Sequence, residues 1–283
     1  MKLIDQILSQ VDHLPGVPSV VQKVLAQVED PNFSFRDLME TVRLDPGITA
    51  HVLRMCNSPY YGLVRKVSSL EEALTYLGTN SLVQIILSSE LVGHFRANQD
   101  GYRLKRGELW RHCMATALLA QRIGIQVKFQ DSATLFTAAL LHDVGKLVLS
   151  QFVGEQCEEI SALVEDEHLS FVEAERRVLG IDHATLGAAV ARKWNFPDPI
   201  TVAIACHHDL AKSGKYRPLV ALVALANLLV VTMGVGVGAD GLATPVPPGL
   251  IKEVGLKPRD LDRLSLELKD ILDQANDLLD ISN

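Results

Sequence analysis

The sequence has no C-x-x-C pair. Its four cysteines, Cys56, Cys113, Cys157 and Cys206, are scattered along 283 residues. That spacing excludes a cysteine-built zinc site and a disulfide framework, and leaves reduced, buried thiols as the expectation. Lysine and arginine never cluster either. With 27 basic residues against 34 acidic ones and a formal net charge of -7, the chain lacks the phosphate-neutralising surface that nucleic-acid binding draws on, so nucleic acid is excluded from the expected partners. Sustained two-residue alternation bounded by hairpin turns is also missing, which removes the signal for a sheet. The stretch "MKLIDQILSQVDHLPG" carries charges through its apolar positions and lacks the apolar centre of a secretory signal, so a cytoplasmic location is expected.

What the sequence does have is apolar content, 48% of residues, enough for a large core. Helix punctuation recurs through it. Ser34 with Asp37, Ser69 with Glu72 and Ser170 with Glu173 have the capping-box form, while Asp45-Pro46 and Asp198-Pro199 place a cap before a first-turn proline. Gly78 and Gly180 follow helical stretches and read as stops. Between these marks apolar residues recur at three and four positions, as in "LWRHCMATALLAQRI". The expected fold is all-α, with turn-rich edges at 96–107 and 234–249. These edges divide the chain into an N-terminal helical subdomain over 1–99, a second over 100–240 and a helical tail over 241–283. The uncharged run from Pro218 to Ala239 has the length of a membrane span, but Asn227 in its middle and its Gly-alternating end favour a buried core helix, and no span is expected.

Nine histidines are present, and five of them, His112, His142, His183, His207 and His208, lie in the central half together with Asp143. "LLHDVGKLVL" sets His142, Asp143 and Lys146 inside an apolar run. A carboxylate there needs a partner, because its burial alone costs several kcal/mol or forces protonation. Two partners are open: Lys146 as an i,i+3 ion pair, or a divalent metal on which Asp143 and distant imidazoles converge.

Those residues resemble the HD superfamily of metal-dependent phosphohydrolases, in which a histidine, an adjacent His-Asp pair and a later Asp hold the metal. The order Glu108, His112, His142-Asp143, Lys146, His183, His207-His208 is also similar to the binuclear site of the HD-GYP cyclic-dinucleotide phosphodiesterases. Glu108 and His112, four apart, share one helix face. The pieces "LDPGITAHVLRMCNSPYYG" and "LGIDHATLGAAVARKWNFPDPITVAIACHHD" narrow the resemblance to the HDOD family, the HD-related output domain of bacterial signalling proteins, over roughly residues 14–230.

The resemblance implies a multi-helical HDOD bundle in two packed subdomains. It also implies one or two divalent transition-metal ions (Fe, Mn, Ni or Zn) held by Glu108, His112, His142, Asp143, His183, His207 and His208. Two departures limit the chemistry carried over. Asn227 stands where the last metal-binding Asp is expected, and "HHDLAKSGKYRPL" lacks a contiguous GYP signature.

The leading expectation is therefore a signalling output module that binds a protein partner or small ligand and keeps a residual metal site. The alternative is a metal-dependent phosphohydrolase acting on a nucleotide or phosphate ester, with Asp143 and Lys146 as its catalytic residues. "NSPYYG" offers Tyr60 and Tyr61 either as an aromatic anchor for a partner or as inward-packed rings. The leucine-rich tail from 256 to 279 reads as a helix that packs back on its own domain, or else as a dimerising or domain-connecting helix in a homo-oligomer or a larger chain.

Overall fold

A computed structural model describes residues 3–13, 21–24, 39–40, 42–43, 46–58, 61–95, 97–236, 238 and 247–281. The architecture is all-α, with no strand among the described residues. The helices in chain order are α1 (Leu3–His13), α2 (Pro46–Cys56), α3 (Leu70–Phe95), α4 (Glu108–Gln126), α5 (Ser132–Leu141), α6 (Lys146–Glu155), α7 (Cys157–Asp166), α8 (Phe171–Leu179), α9 (His183–Lys193), α10 (Asp198–Cys206), α11 (Arg217–Thr232), α12 (Leu250–Val254) and α13 (Pro258–Ile281).

Several helix boundaries follow their sequence signals. Ser170 and Glu173 close a complete capping box on α8, and Gly180 ends that helix in the left-handed conformation at φ 77°. Asp182 caps α9 by accepting from the Thr185 N–H. At α3, Ser69 Oγ accepts from the Glu72 N–H at 3.2 Å, but the Glu72 carboxylate turns one residue further back, to the Ser68 N–H at 2.8 Å. At α10 the helix includes Asp198, so Pro197 holds the cap position and Pro199 falls in the first turn. The Ser34–Asp37 box and Asp45 lie outside the described residues.

Gly78 corrects the sequence reading. It is a kink inside α3, at φ 76° and ψ 171°, after which the chain re-enters the helix. Glycine reaches that backbone conformation without the steric cost a Cβ would bring, so a residue that reads as a stop serves as a bend.

The core is organised around α4. Leu109, Trp110, Cys113, Met114, Ala117 and Ile123 are buried along it, and it packs against α5, α11 and α13, with α3 joining through α5. Every α5 residue from Ala133 to Leu141 is buried, so the turn that follows, His142–Gly145, is delivered into the interior. Among the described residues two stretches are apolar and long enough for a membrane span, Ser132–Glu155 and Gly214–Thr232, and 89% and 61% of their apolar 18-residue windows are buried inside the protein. They serve as core helices. The amphipathic tail helix α13 packs on α4, and its Leu264, Leu268 and Ile271 are buried. Tyr61 packs onto the core, while Pro59 and Tyr60 lie outside the described residues.

Candidate metal centre

Six side chains converge in the interior between α4, α5, α9 and α10. His112 comes from the second turn of α4, His142 and Asp143 from the turn after α5, His183 from the first position of α9, and His207 and His208 from the end of α10. The approach of the α5–α6 turn to α9 depends on Gly145. A Cβ there would sit 1.9 Å from the His183 carbonyl oxygen and 2.7 Å from the Gly187 nitrogen, so the close crossing that brings Asp143 to His183 requires glycine.

Hydrogen bonds fix the tautomers. His112 Nδ1 donates to the Val235 carbonyl at 3.0 Å, His142 Nδ1 to the Ala139 carbonyl at 2.7 Å and His207 Nδ1 to the Ile204 carbonyl at 2.7 Å. A carbonyl only accepts, so each proton is on Nδ1 and each Nε2 presents a lone pair. His183 follows the same pattern with a stronger acceptor: Glu175 Oε2 receives its Nδ1–H at 2.8 Å and its backbone N–H at 3.1 Å.

These four Nε2 atoms surround one carboxylate. His112 and His142 lie 3.5 and 3.4 Å from Asp143 Oδ2, and His183 and His207 lie 3.4 and 3.7 Å from Asp143 Oδ1. Two imidazole pairs also face each other through Nε2, His112 with His142 at 3.3 Å and His183 with His208 at 3.0 Å. The donors form two groups that share Asp143, one with His112 and His142, the other with His183, His207 and His208. Lone pairs crowded at these distances repel unless positive charge lies among them. The spacing itself fits an ion, because metal–nitrogen bonds of about 2.0–2.1 Å put neighbouring ligands roughly 3–3.4 Å apart. Two of the inward atoms, Asp143 Oδ1 and His207 Nε2, are buried with no hydrogen-bond partner, which is how ligand atoms look without their ion.

The titration pattern agrees. Burial holds His112 and His207 down to about 4, with the neighbouring imidazoles adding to the effect, so both rings are neutral at physiological pH. Burial and its two histidine neighbours also lower His208. Burial pulls against His183 too, but the Glu175 carboxylate outweighs it and its pKa is raised. Burial alone would raise Asp143, yet His142 and Lys146 hold it well below the usual carboxylate range.

Lys146 is buried beside Asp143 inside the cluster. Its Nζ donates to Asp143 Oδ2 at 2.7 Å and lies 5.3 Å from the centroid of the Tyr102 ring. Tyr102 in turn donates its hydroxyl to Glu175 Oε1. Lys146, Tyr102, Glu175 and His183 thus make a polar chain behind the centre.

Of the residues singled out from sequence, the structure brings together His112, His142, Asp143, Lys146, His183, His207 and His208. Glu108 is not brought in. Its carboxylate turns back to accept from the Lys105 N–H at 2.6 Å and completes the start of its own helix. Asn227 is buried on α11 with an unpartnered Oδ1. Sequence reasoning missed Glu175. The signal was there, because it falls between Phe171 and Leu179 on the apolar stripe of α8, and a carboxylate on such a stripe needs a buried partner.

Helix ends converging on a buried His/Asp cluster define a class of all-α protein built around a candidate metal centre. The chain belongs to the HDOD family, whose domain profile matches residues 14–210. Among solved structures it is similar to an HDOD domain protein of unknown function from Geobacter sulfurreducens, at 27% identity and a TM-score of 0.77, covering 98% of this chain and 97% of that one. It is also similar to a protein of Marinobacter aquaeolei VT8 named for a candidate role in signal transduction, at 24% identity and a TM-score of 0.75, covering 98% of this chain and 61% of that one. A candidate phosphohydrolase of Shewanella amazonensis SB2B shares the fold at 22% identity and a TM-score of 0.73, with 98% of each chain covered. A curated Treponema pallidum protein without an assigned function is 26% identical over 234 residues, or 81% of this chain, which spans 44% of that relative's length.

Proposed function

We propose that this chain is a signal-transduction output module that acts by binding a protein partner or a small ligand, and that its His/Asp centre is a divalent-metal site. The observation that carries this reading is the origin of the inward Nε2 atoms, which come from helix α4, the α5–α6 turn, α9 and α10. One ion bound by donors from separate elements couples their positions, so metal occupancy and helix packing become one equilibrium. Family membership and the signalling name of the Marinobacter relative support the same reading. Mixed imidazole and carboxylate donors suit Fe, Mn, Ni or Zn. On this reading residues 1–99 present the partner surface, 100–240 carry the centre, 241–283 form the tail, and the module works in the cytoplasm, alone or with a second copy.

A second reading, metal-dependent hydrolysis of a nucleotide or phosphate ester, is favoured by one specific arrangement. Asp143 offers an oxygen to each of two donor groups, and the Lys146 ammonium stands beside it. A bound ion would supply an activated water and polarise a phosphoryl oxygen. Asp143 would hold the ion, Lys146 would face phosphate charge, and partly exposed His208 marks the open side.

The deciding experiment measures metal content by elemental mass spectrometry, then thermal stability with and without chelator, then hydrolysis of bis-p-nitrophenyl phosphate and cyclic dinucleotides. The module reading expects bound metal, a lower melting temperature after chelation and no turnover. Turnover that disappears in Asp143→Asn would replace it with the enzyme reading. A chain that is metal-free even after reconstitution would overturn both.

A further inference from the structure

The two donor groups at Asp143 are unequal, and the difference is Lys146. Asp143 Oδ2, the oxygen that faces His112 and His142, already accepts from the Lys146 ammonium at 2.7 Å. Asp143 Oδ1, the oxygen that faces His183 and His207 at 3.4 and 3.7 Å, has no hydrogen-bond partner, and neither does His207 Nε2. The first group therefore offers two imidazoles and a carboxylate oxygen that is already neutralised. The second offers three imidazoles and an oxygen that accepts no hydrogen bond.

Charge points the same way. Among the described residues, two dications and the Lys146 ammonium would face the Asp143 carboxylate and, behind His183, that of Glu175. Burying that surplus of positive charge is far costlier than burying one dication with one ammonium. Lys146 cannot easily leave, because it is 4% exposed and its Nζ lies over the Tyr102 ring.

We propose that Lys146 is a resident cation standing in for a second metal, so that the centre holds a single ion on His183, His207, His208 and Asp143 Oδ1 while the ammonium keeps a second ion from His112 and His142. The proposal rests on the metal-site reading above and specifies which half of the centre is used. His112 and His142 then serve as neutral neighbours whose positions are set by the Val235 and Ala139 carbonyls.

Manganese(II) binding tests this directly. The purified 283-residue chain is stripped with chelator and titrated with Mn2+, with bound metal counted by equilibrium dialysis and its environment read by electron paramagnetic resonance. The expected result is one Mn2+ per chain with an uncoupled mononuclear spectrum. His112→Ala retains that ion, His207→Ala weakens it by about tenfold or more, and Lys146→Met takes up a second ion. The inference is overturned if the wild-type chain binds two ions with an exchange-coupled spectrum. It is also overturned if Lys146→Met folds and still binds one, or if His112→Ala loses the ion that His207→Ala keeps. An ion in the wrong half sinks this proposal alone, whereas no binding by the wild-type chain sinks the metal reading with it. If Lys146→Met fails to fold, the wild-type spectrum and the two histidine variants still decide the question.

Discussion

Glu175 stands directly behind His183, accepting both its Nδ1–H at 2.8 Å and its backbone N–H at 3.1 Å, while its other oxygen takes the Tyr102 hydroxyl. A carboxylate in this position orients the ring and raises the basicity of the opposite nitrogen. Glu175→Gln keeps the size and one acceptor but removes the charge. Metal affinity should fall roughly 10–100-fold with the helical fold intact, as measured by competition with a chromogenic chelator. Unchanged affinity would mean that Glu175 only fills space.

Asp143 and Lys146 are a buried ion pair, and each depends on the other. Asp143→Ala strands the ammonium in the interior and should destabilise the metal-free protein by about 3–5 kcal/mol in urea unfolding. The double variant Asp143→Ala with Lys146→Met should recover a large part of that loss. Additive losses in the double-mutant cycle would show that the pair is not coupled.

Acid should weaken the metal-free protein before its carboxylates titrate. His112 and His207 have folded-state values near 4 against an unfolded value of 6.5. Between those limits the unfolded chain binds more protons, so stability rises with pH across the window, by at most about 1.4 kcal/mol per pH unit for each histidine. His183 works in the opposite sense. Its raised value gives stability that is present below 6.5 and lost as pH rises through its folded pKa. Urea midpoints of chelated protein across this range should climb with pH, and a flat profile would contradict the buried neutral imidazoles.

Gly145→Ala is the sharpest packing test. Its Cβ would meet backbone atoms of α9, the His183 carbonyl at 1.9 Å first. Backbone cannot step aside as a flexible side chain can, so the α5–α6 turn and α9 must separate. Thermal melts should show a loss of several kcal/mol, at the severe end for single substitutions. Metal affinity should fall with it.

A smaller effect is expected at Ser170. Ser170→Ala removes the acceptor for the Glu173 N–H at 3.3 Å and leaves half of a capping box. The expected cost is about 1 kcal/mol in chemical unfolding. Because α8 also carries Glu175, the same variant tests whether fraying at that helix start reaches His183.

The sequence carried the helical class and most of the centre, for reasons that particular residues make plain. Ser170 with Glu173 and Gly180 act locally, and local chemistry is written in local spacing. His142, Asp143 and Lys146 stood out because ionisable groups in an apolar run demand partners. Glu108 turns to the Lys105 N–H instead, because a four-residue spacing fixes a shared helix face but not the direction of a carboxylate that can reach its own helix terminus. Gly78 was read as a terminus because a positive φ suits a stop and a kink equally, and the packing of α3 decides between them. Val235, which anchors His112 through its carbonyl, has no side-chain signature at all. Such a contact exists only once α11 has been laid against α4.

The tail helix offers one consequence of a different kind. α13 packs on α4 with Leu264, Leu268 and Ile271 buried, and Arg263 donates to Gln126 at the far end of α4 at 2.6 Å. The same helix presents His112 near its other end. α4 is thus a shaft with a bearing at each end, one a ring of imidazoles and the other the tail. Reciprocity follows from thermodynamics. If docking α13 alters the affinity for an ion by some factor, the ion alters the docking of α13 by that same factor, so a perturbation entering at either end is readable at the other.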